Sequence, residues 1–215
     1  LPHILPSPTE FEIAVQKLGV NQNSKIVVYD AMGIFSSPRV WWMFKIMGHS
    51  QVYVLDGGLP KWLEKQLPTQ NHFSPNKKVG DFKVKFNPQM QRSVEQVLES
   101  LTESKTQIID ARSKARFNGT EAEPRAGLRK GHIPGSNCLP FNDLLINGEF
   151  KKLAEIKQQF KSLVKETTQR LIFSCGSGVT ASILAIAADE VGYQNYSVYD
   201  GSWSEWGARN DLPIE

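Results

Sequence analysis

Residues 170–206 read RLIFSCGSGVTASILAIAADEVGYQNYSVYDGSWSEW, and their pattern decides the fold. The apolar run LIF passes through a glycine-bearing turn into ILAIAADEVG, which is helical in pattern, and a second short run, YSVYD, closes on Asp-Gly. Short apolar runs that alternate with helical stretches mark a parallel sheet covered by helices. The same order recurs at residues 25–62, KIVVYDAMGIFSSPRVWWMFKIMGHSQVYVLDGGLPKW. Asp30 to Asp56 spans 26 steps and Cys175 to Asp200 spans 25, so Asp30 stands in the first copy where Cys175 stands in the second. Self-similarity on this scale implies two homologous α/β domains in tandem.

Working outward, the second copy reads as a helix over Ser93–Leu101, the strand QIIDAR, a short strand in SNCLPF, and a helix around Ala154–Val164. The strand LIFS, a helix from about Val179 to Val191 and the strand YSVYD complete it. A parallel five-stranded sheet flanked by helices is expected in each domain. Residues 67–92 carry Pro68, Pro75, Pro88 and Gly80 among polar residues, the composition of an extended connection. The expected division is therefore 1–68 for the first domain, 69–92 for a linker and 93–215 for the second domain. The segments DAR and GHIPG have no counterpart in the first copy. The repeat places the partner of Asp110 roughly 34 residues before Leu1, so the first domain is expected to be incomplete at its N-terminus. One helix there is well marked, with Ser7 as N-cap, Pro8 at the first position, Glu10 closing a capping box and Gly19 at the end.

Composition excludes several classes. The longest purely apolar runs, such as Ile26–Tyr29, are far short of the roughly 20 residues that span a bilayer. Net charge is only +3, with the basic residues spread along the chain, which argues against a nucleic-acid partner. The 2 Cys cannot build a disulfide scaffold, Cys138 in GSNCLPF reads as a buried thiol, and a reducing, cytoplasmic setting is expected, or a mitochondrial one in a eukaryote. His3, His49, His72 and His132 lack metal-ligand spacing, so no metal site is expected. The opening LPHILPSPTE has neither an initiator Met nor a signal-peptide pattern and reads as the start of a trimmed chain.

Cys175 follows an apolar strand and precedes GSGVTA and a helix, so its thiol stands on a strand-to-helix turn. Gly176 and Gly178 permit a tight loop whose amides turn inward as an anion cradle. A free thiol of pKa roughly 8.5 is only slightly ionised at neutral pH. A helix N-terminus contributes about 0.3–1 kcal/mol, rising to about 2, or roughly one pKa unit. Further donors are required, and the loop amides with the Ser177 and Thr180 hydroxyls are the candidates.

CGSGVTA resembles the active-site loop of the mercaptopyruvate sulfurtransferases, two-domain members of the rhodanese superfamily. DARSKARFNGTEAEPRAGLRKGHIPGSNCLPF resembles the segment upstream of that loop, and SPRVWWMFKIMGH, LDGGLPKW and YDGSWSEW extend the likeness to nearly the whole chain. The resemblance implies two tandem rhodanese-like domains, the first inactive and the second carrying Cys175 as the nucleophile that becomes a persulfide. It implies that Arg116 and Arg125 hold the carboxylate and carbonyl of 3-mercaptopyruvate, for which a planar, always-charged guanidinium is suited. Gly176, Gly178, Val179 and Thr180 would complete the substrate loop, Asp110 and Arg112 would brace it, and His132 would be structural. Ser177 and His3 would form, with an aspartate placed before Leu1, an Asp–His–Ser arrangement that manages the substrate's thiol proton. Thiosulfate-preferring relatives carry two cationic residues where this chain has Gly176 and Ser177. No cofactor is implied; the acceptor would be a thiol such as thioredoxin or glutathione, and the protein would be a monomer. Three other readings stay open. They are a thiosulfate sulfurtransferase, a catalytically silent binding module, and a Cys-based phosphatase, which would need an Arg where Ala181 stands.

Overall fold

The computed structural model describes residues 1–72 and 78–215; Pro75 of the expected linker lies outside the described residues. The first repeat opens with α1 (Pro8–Lys17), where the Glu10 amide donates to Ser7 Oγ while the Ser7 amide donates to the Glu10 carboxylate. Strand β1 (Ile26–Val28), helix α2 (Ser37–Ile46), strand β2 (Val52–Val54) and helix α3 (Gly58–Glu64) follow. β1 and β2 pair in parallel, Ile26 opposite Val52, with α2 as the crossover. Among the described residues the sheet of this repeat has two strands, fewer than the five expected of a whole domain and in line with a first domain expected to be incomplete.

Residues 78–92, assigned above to a linker, are stitched onto the first repeat. The amides of Gly80 and Phe82 donate to the Gln16 and Val20 carbonyls, and those of Lys85 and Asn87 donate to Met47 and Ile46. Phe82 is fully buried, edge-on to Phe11 and Phe44. The segment then supplies β3 (Gln91–Arg92), a strand of the second sheet that the sequence reading placed in the linker. Two polar residues show no alternating pattern; they become a strand because the strand at Tyr196–Tyr199 offers them a free edge.

The second repeat continues through α4 (Val94–Ser100), β4 (Thr106–Asp110), α5 (Lys114–Phe117) and β5 (Asn137–Cys138). A small antiparallel hairpin, β6 (Leu145–Ile146) and β7 (Glu149–Phe150), precedes α6 (Leu153–Leu163), β8 (Arg170–Ser174), α7 (Ala181–Glu190), β9 (Tyr196–Tyr199) and α8 (Ser202–Trp206). The sheet runs β3-β9-β8-β4-β5, parallel throughout. From the adjacent strands β8 and β4 the next strands lie on opposite sides, so their carboxyl ends flank the crevice where such sheets bind ligands. Helix α7 is buried from Ala181 to Ala188 because it is covered by its own sheet on one face and by α2 of the first repeat on another. One core thus spans both repeats, and a second cluster around Trp203 and Trp206 fills the other face of the larger sheet. Among the described residues no helix is long and apolar enough to cross a membrane.

Candidate active site

β8 ends at Ser174 and delivers Cys175 to the crevice, where the first turn of α8 holds its backbone. The Cys175 amide donates to Ser202 Oγ at 3.1 Å, and its carbonyl accepts from the Trp203 amide at 2.9 Å. The Gly176 carbonyl accepts from the Ser204 amide at 2.9 Å and from its hydroxyl at 2.6 Å. Cys175 is only 1% exposed, yet it forms part of the wall of a cleft of about 570 Å³ between the repeats. Arg116, Arg125, His3, Gly176, Ser177, Val179 and Thr180 line the same cleft, joined from the first repeat by Phe35, Arg39, Val40 and Met43.

Gly178 is the exception among the nominated residues. It lies behind the loop at φ +79°, where an added Cβ would stand 2.8 Å from the Asp200 carbonyl oxygen, so its place is to shape the turn rather than to face the cleft. Gly176 is small for a different reason: a Cβ there would stand 3.0 Å from Arg116 Nη2. Ser177 Oγ meets His3 Nδ1 at 3.0 Å, the pair that the resemblance implied. The hydroxyl found beneath the sulfur is that of Ser202, 3.9 Å from Sγ.

Ser202 was missed in the sequence. Its φ of 50° puts a non-glycine residue in the left-handed region, where the first repeat has Gly58 at φ 53°. Such backbone is strained by about 1–3 kcal/mol, and here it places a hydroxyl under the thiol. The signal was the change from DGG to DGS between the repeats. Glu123 was also missed. It accepts from Arg116 Nε at 3.2 Å and Nη2 at 2.5 Å, and from Arg112 Nη1 at 2.7 Å. Arg112, its side chain fully buried, grips Asp110 with a fork and stacks 4.2 Å over Trp203. Arg129 is spent on carbonyls of the C-terminal turn, including Gly207 and Leu212, and His132 stacks on Phe117 with ring centroids 3.8 Å apart.

The counterpart turn in the first repeat holds an anion. The Asp30 carboxylate occupies the position of Cys175 and accepts the amides of Met32, Phe35, Ser36 and Ser37 at 2.8–3.0 Å, with the Ser37 hydroxyl at 2.7 Å. Burial pushes the Asp30 pKa up, but these donors together outweigh it and hold the group below the usual carboxylate range. The loop around Asp30 is an anion cradle.

The family model for the rhodanese-like domain matches residues 3–65 and 93–209. The chain belongs to the rhodanese family. Among the relatives of this rhodanese chain is the 3-mercaptopyruvate sulfurtransferase of Escherichia coli K12, 43% identical over 100% of the chain and 76% of the relative. The rat thiosulfate sulfurtransferase is 41% identical over 96% of the chain and 70% of its own length. The crystal structure of SseA from Escherichia coli superposes with a TM-score of 0.83 at 40% identity, covering 95% of this chain and 76% of that one. Tum1 from Saccharomyces cerevisiae gives 0.85 at 31%, covering 98% and 76%.

Cys138, the second thiol of this rhodanese chain, is half-buried on β5 with its pKa pushed up to about 12, first by burial and then by the nearby Asp110 carboxylate. Raised above the ordinary 9.0, it stays protonated and its contribution to stability is complete below that pH, then lost as pH climbs toward about 12. Brief alkylation at neutral pH is therefore expected to leave Cys138 unlabelled in the folded protein, as peptide mass mapping would report.

Proposed function

We propose that the protein is a 3-mercaptopyruvate sulfurtransferase that carries sulfur as a Cys175 persulfide. The observation that carries this reading is the Asp30 cradle. An aspartate side chain reaches its carboxylate oxygen through the same number of bonds by which a cysteine persulfide reaches its outer sulfur. Asp30 thus stands in the first repeat as a permanent stand-in for persulfidated Cys175. The amides of Ser177, Thr180 and Ala181 occupy the steps of Met32, Phe35 and Ser36, and would turn to the outer sulfur in the same way.

In the reaction the Cys175 thiolate attacks the sulfur of 3-mercaptopyruvate. An S–S bond forms, the C–S bond breaks, and its electron pair leaves on carbon as the enolate of pyruvate. The substrate's thiol proton passes through Ser177 and His3 and ends on that carbon, so pyruvate leaves and Cys175 holds an anionic persulfide. A thiol acceptor, or cyanide, then attacks the outer sulfur and restores the Cys175 thiolate, giving ping-pong kinetics. Arg125 at the exposed rim and Arg116, steadied by Glu123, seat the keto acid. Incubation with 3-mercaptopyruvate and no acceptor should add one sulfur to the intact protein, mapping to Cys175, with one pyruvate released; absence of that sulfur would end the proposal.

A second reading, thiosulfate as donor, is favoured by the rat relative's name. Against it stands the neutral loop, since a thiosulfate dianion calls for more positive charge than a monoanionic keto acid. Arg125→Ala should lower kcat/KM for mercaptopyruvate by about 10- to 100-fold, the equivalent of about 1.5–3 kcal/mol for a hydrogen bond to a charged group. Steady-state pyruvate release reads this directly.

A further inference from the structure

Arg39 is a charge where the repeat calls for an apolar residue. Its step in α7 is filled by Leu184, fully buried, and Arg39 itself is only 6% exposed within α2. A buried charge is unfavourable by several kcal/mol unless well partnered, and an aliphatic side chain would fill this space without that penalty. The guanidinium reaches across the boundary between the repeats. Nη2 donates to Asp200 Oδ1 at 2.6 Å and to the His3 carbonyl at 2.7 Å, and Nη1 donates to the Gly178 carbonyl at 3.4 Å. Its carbon stands 4.6 Å over the Trp42 ring.

These acceptors are not a random set. Gly178 is in the nucleophile's loop, and His3 carries the ring that meets Ser177. His3 has φ 60°, a left-handed backbone that is sparsely populated outside glycine and persists only where the surroundings enforce it. On its far side the Leu5 amide donates to Asp200 Oδ2 at 2.8 Å. The strained segment is thus clasped at both ends by one buried ion pair. Asp56, the repeat counterpart of Asp200, likewise takes the amide of Phe150 from the other repeat at 2.9 Å. Both Asp-Gly strand ends grip the opposite repeat, and the arginine is an addition on the side that carries the thiol.

We infer that Arg39 is a positioning residue for sulfur transfer, tying His3 and the Gly178 turn to Asp200 so that the His3 ring stays against Ser177. This rests on the sulfurtransferase reading, with His3 and Ser177 moving the substrate's thiol proton. The charged and titratable groups about the His3 ring are Arg39 and Asp200 behind it and Cys175, Arg116 and Arg125 in the cleft walls.

The test compares wild type, Arg39→Met, His3→Gln and the double variant in pyruvate release from mercaptopyruvate across pH. Arg39→Met should lower kcat about 10- to 100-fold at pH 7, up to the lower bound of the roughly 100- to 10,000-fold that general acid–base help supplies, because the His3 ring is displaced rather than removed. KM should change less than about threefold, because the carboxylate seat in the second repeat is untouched. His3→Gln should give an equal loss, and the double variant no further loss. The deficit should close as pH rises through the substrate thiol's own pKa, roughly 8.5, where no base is needed. Arg39→Lys keeps the charge opposite Asp200 but replaces the planar fork that spans the acceptors with a compact ammonium, so it should fold normally and share the kcat deficit even if Arg39→Met unfolds. Losses that multiply in the double variant, a loss in KM alone, or a deficit independent of pH would each overturn the positioning role. Wild-type protein that releases no pyruvate would instead overturn the sulfurtransferase reading and this inference with it.

Discussion

Cys175→Ser is expected to abolish pyruvate release, by about a thousandfold or more, and to remove all sulfur uptake from mercaptopyruvate. The size follows from what is lost. Removing the nucleophile of a site that works as a unit costs nearly the whole covalent pathway. A hydroxyl in the same cradle ionises far less readily than a thiol and makes no stable bond to sulfane sulfur. Stability should change little, because Cys175 is held through its backbone, with its amide on Ser202 Oγ and its carbonyl on the Trp203 amide. Serine keeps both bonds. The variant should therefore unfold at nearly the wild-type temperature while stopped assays for pyruvate fall to background. Residual turnover within tenfold of wild type would place the nucleophile elsewhere.

The parts of this site that could be read in the sequence are those whose chemistry is local. A strand, a glycine-bearing turn and a helix within ten or so residues announce where Cys175 stands, and the capping box of α1 is complete in four residues. Glu123 is different. It is seven residues from Arg116 and eleven from Arg112, and nothing in the string EAEPRAG says which carboxylate turns inward. The three side chains meet only because the chain folds back after α5. Ser202 and Arg39 are legible only by comparing the repeats, where Gly58 and Leu184 mark what the fold would otherwise put there. Strand β3 left no mark at all, since its two residues owe their conformation to the edge of β9.

Glu123→Ala is the substitution with the largest expected effect on stability. Burial opposes the charge of Arg112, but Asp110 and Glu123 outweigh it and hold the guanidinium's pKa above its ordinary value. Truncating Glu123, whose side chain is 2% exposed, leaves Arg112 with one carboxylate in place of two and Arg116 with none of its present partners. Breaking a buried pair from one side costs about 3–5 kcal/mol, because the remaining charge stays desolvated. In a chain of this size that lowers the melting temperature by roughly 6–20 °C. Asp211→Ala, which breaks the exposed pair with Arg209, should leave it essentially unmoved. Activity should fall as well, since Arg116 would lose the fork that aims it past Gly176 into the cleft. Glu123→Gln preserves the shape and an acceptor oxygen, so it should lose less stability than Ala while still weakening mercaptopyruvate binding. A melting temperature unchanged in Glu123→Ala would mean that Asp110 alone neutralises Arg112, and that the chain of charges leading to Arg116 is ornamental to the fold.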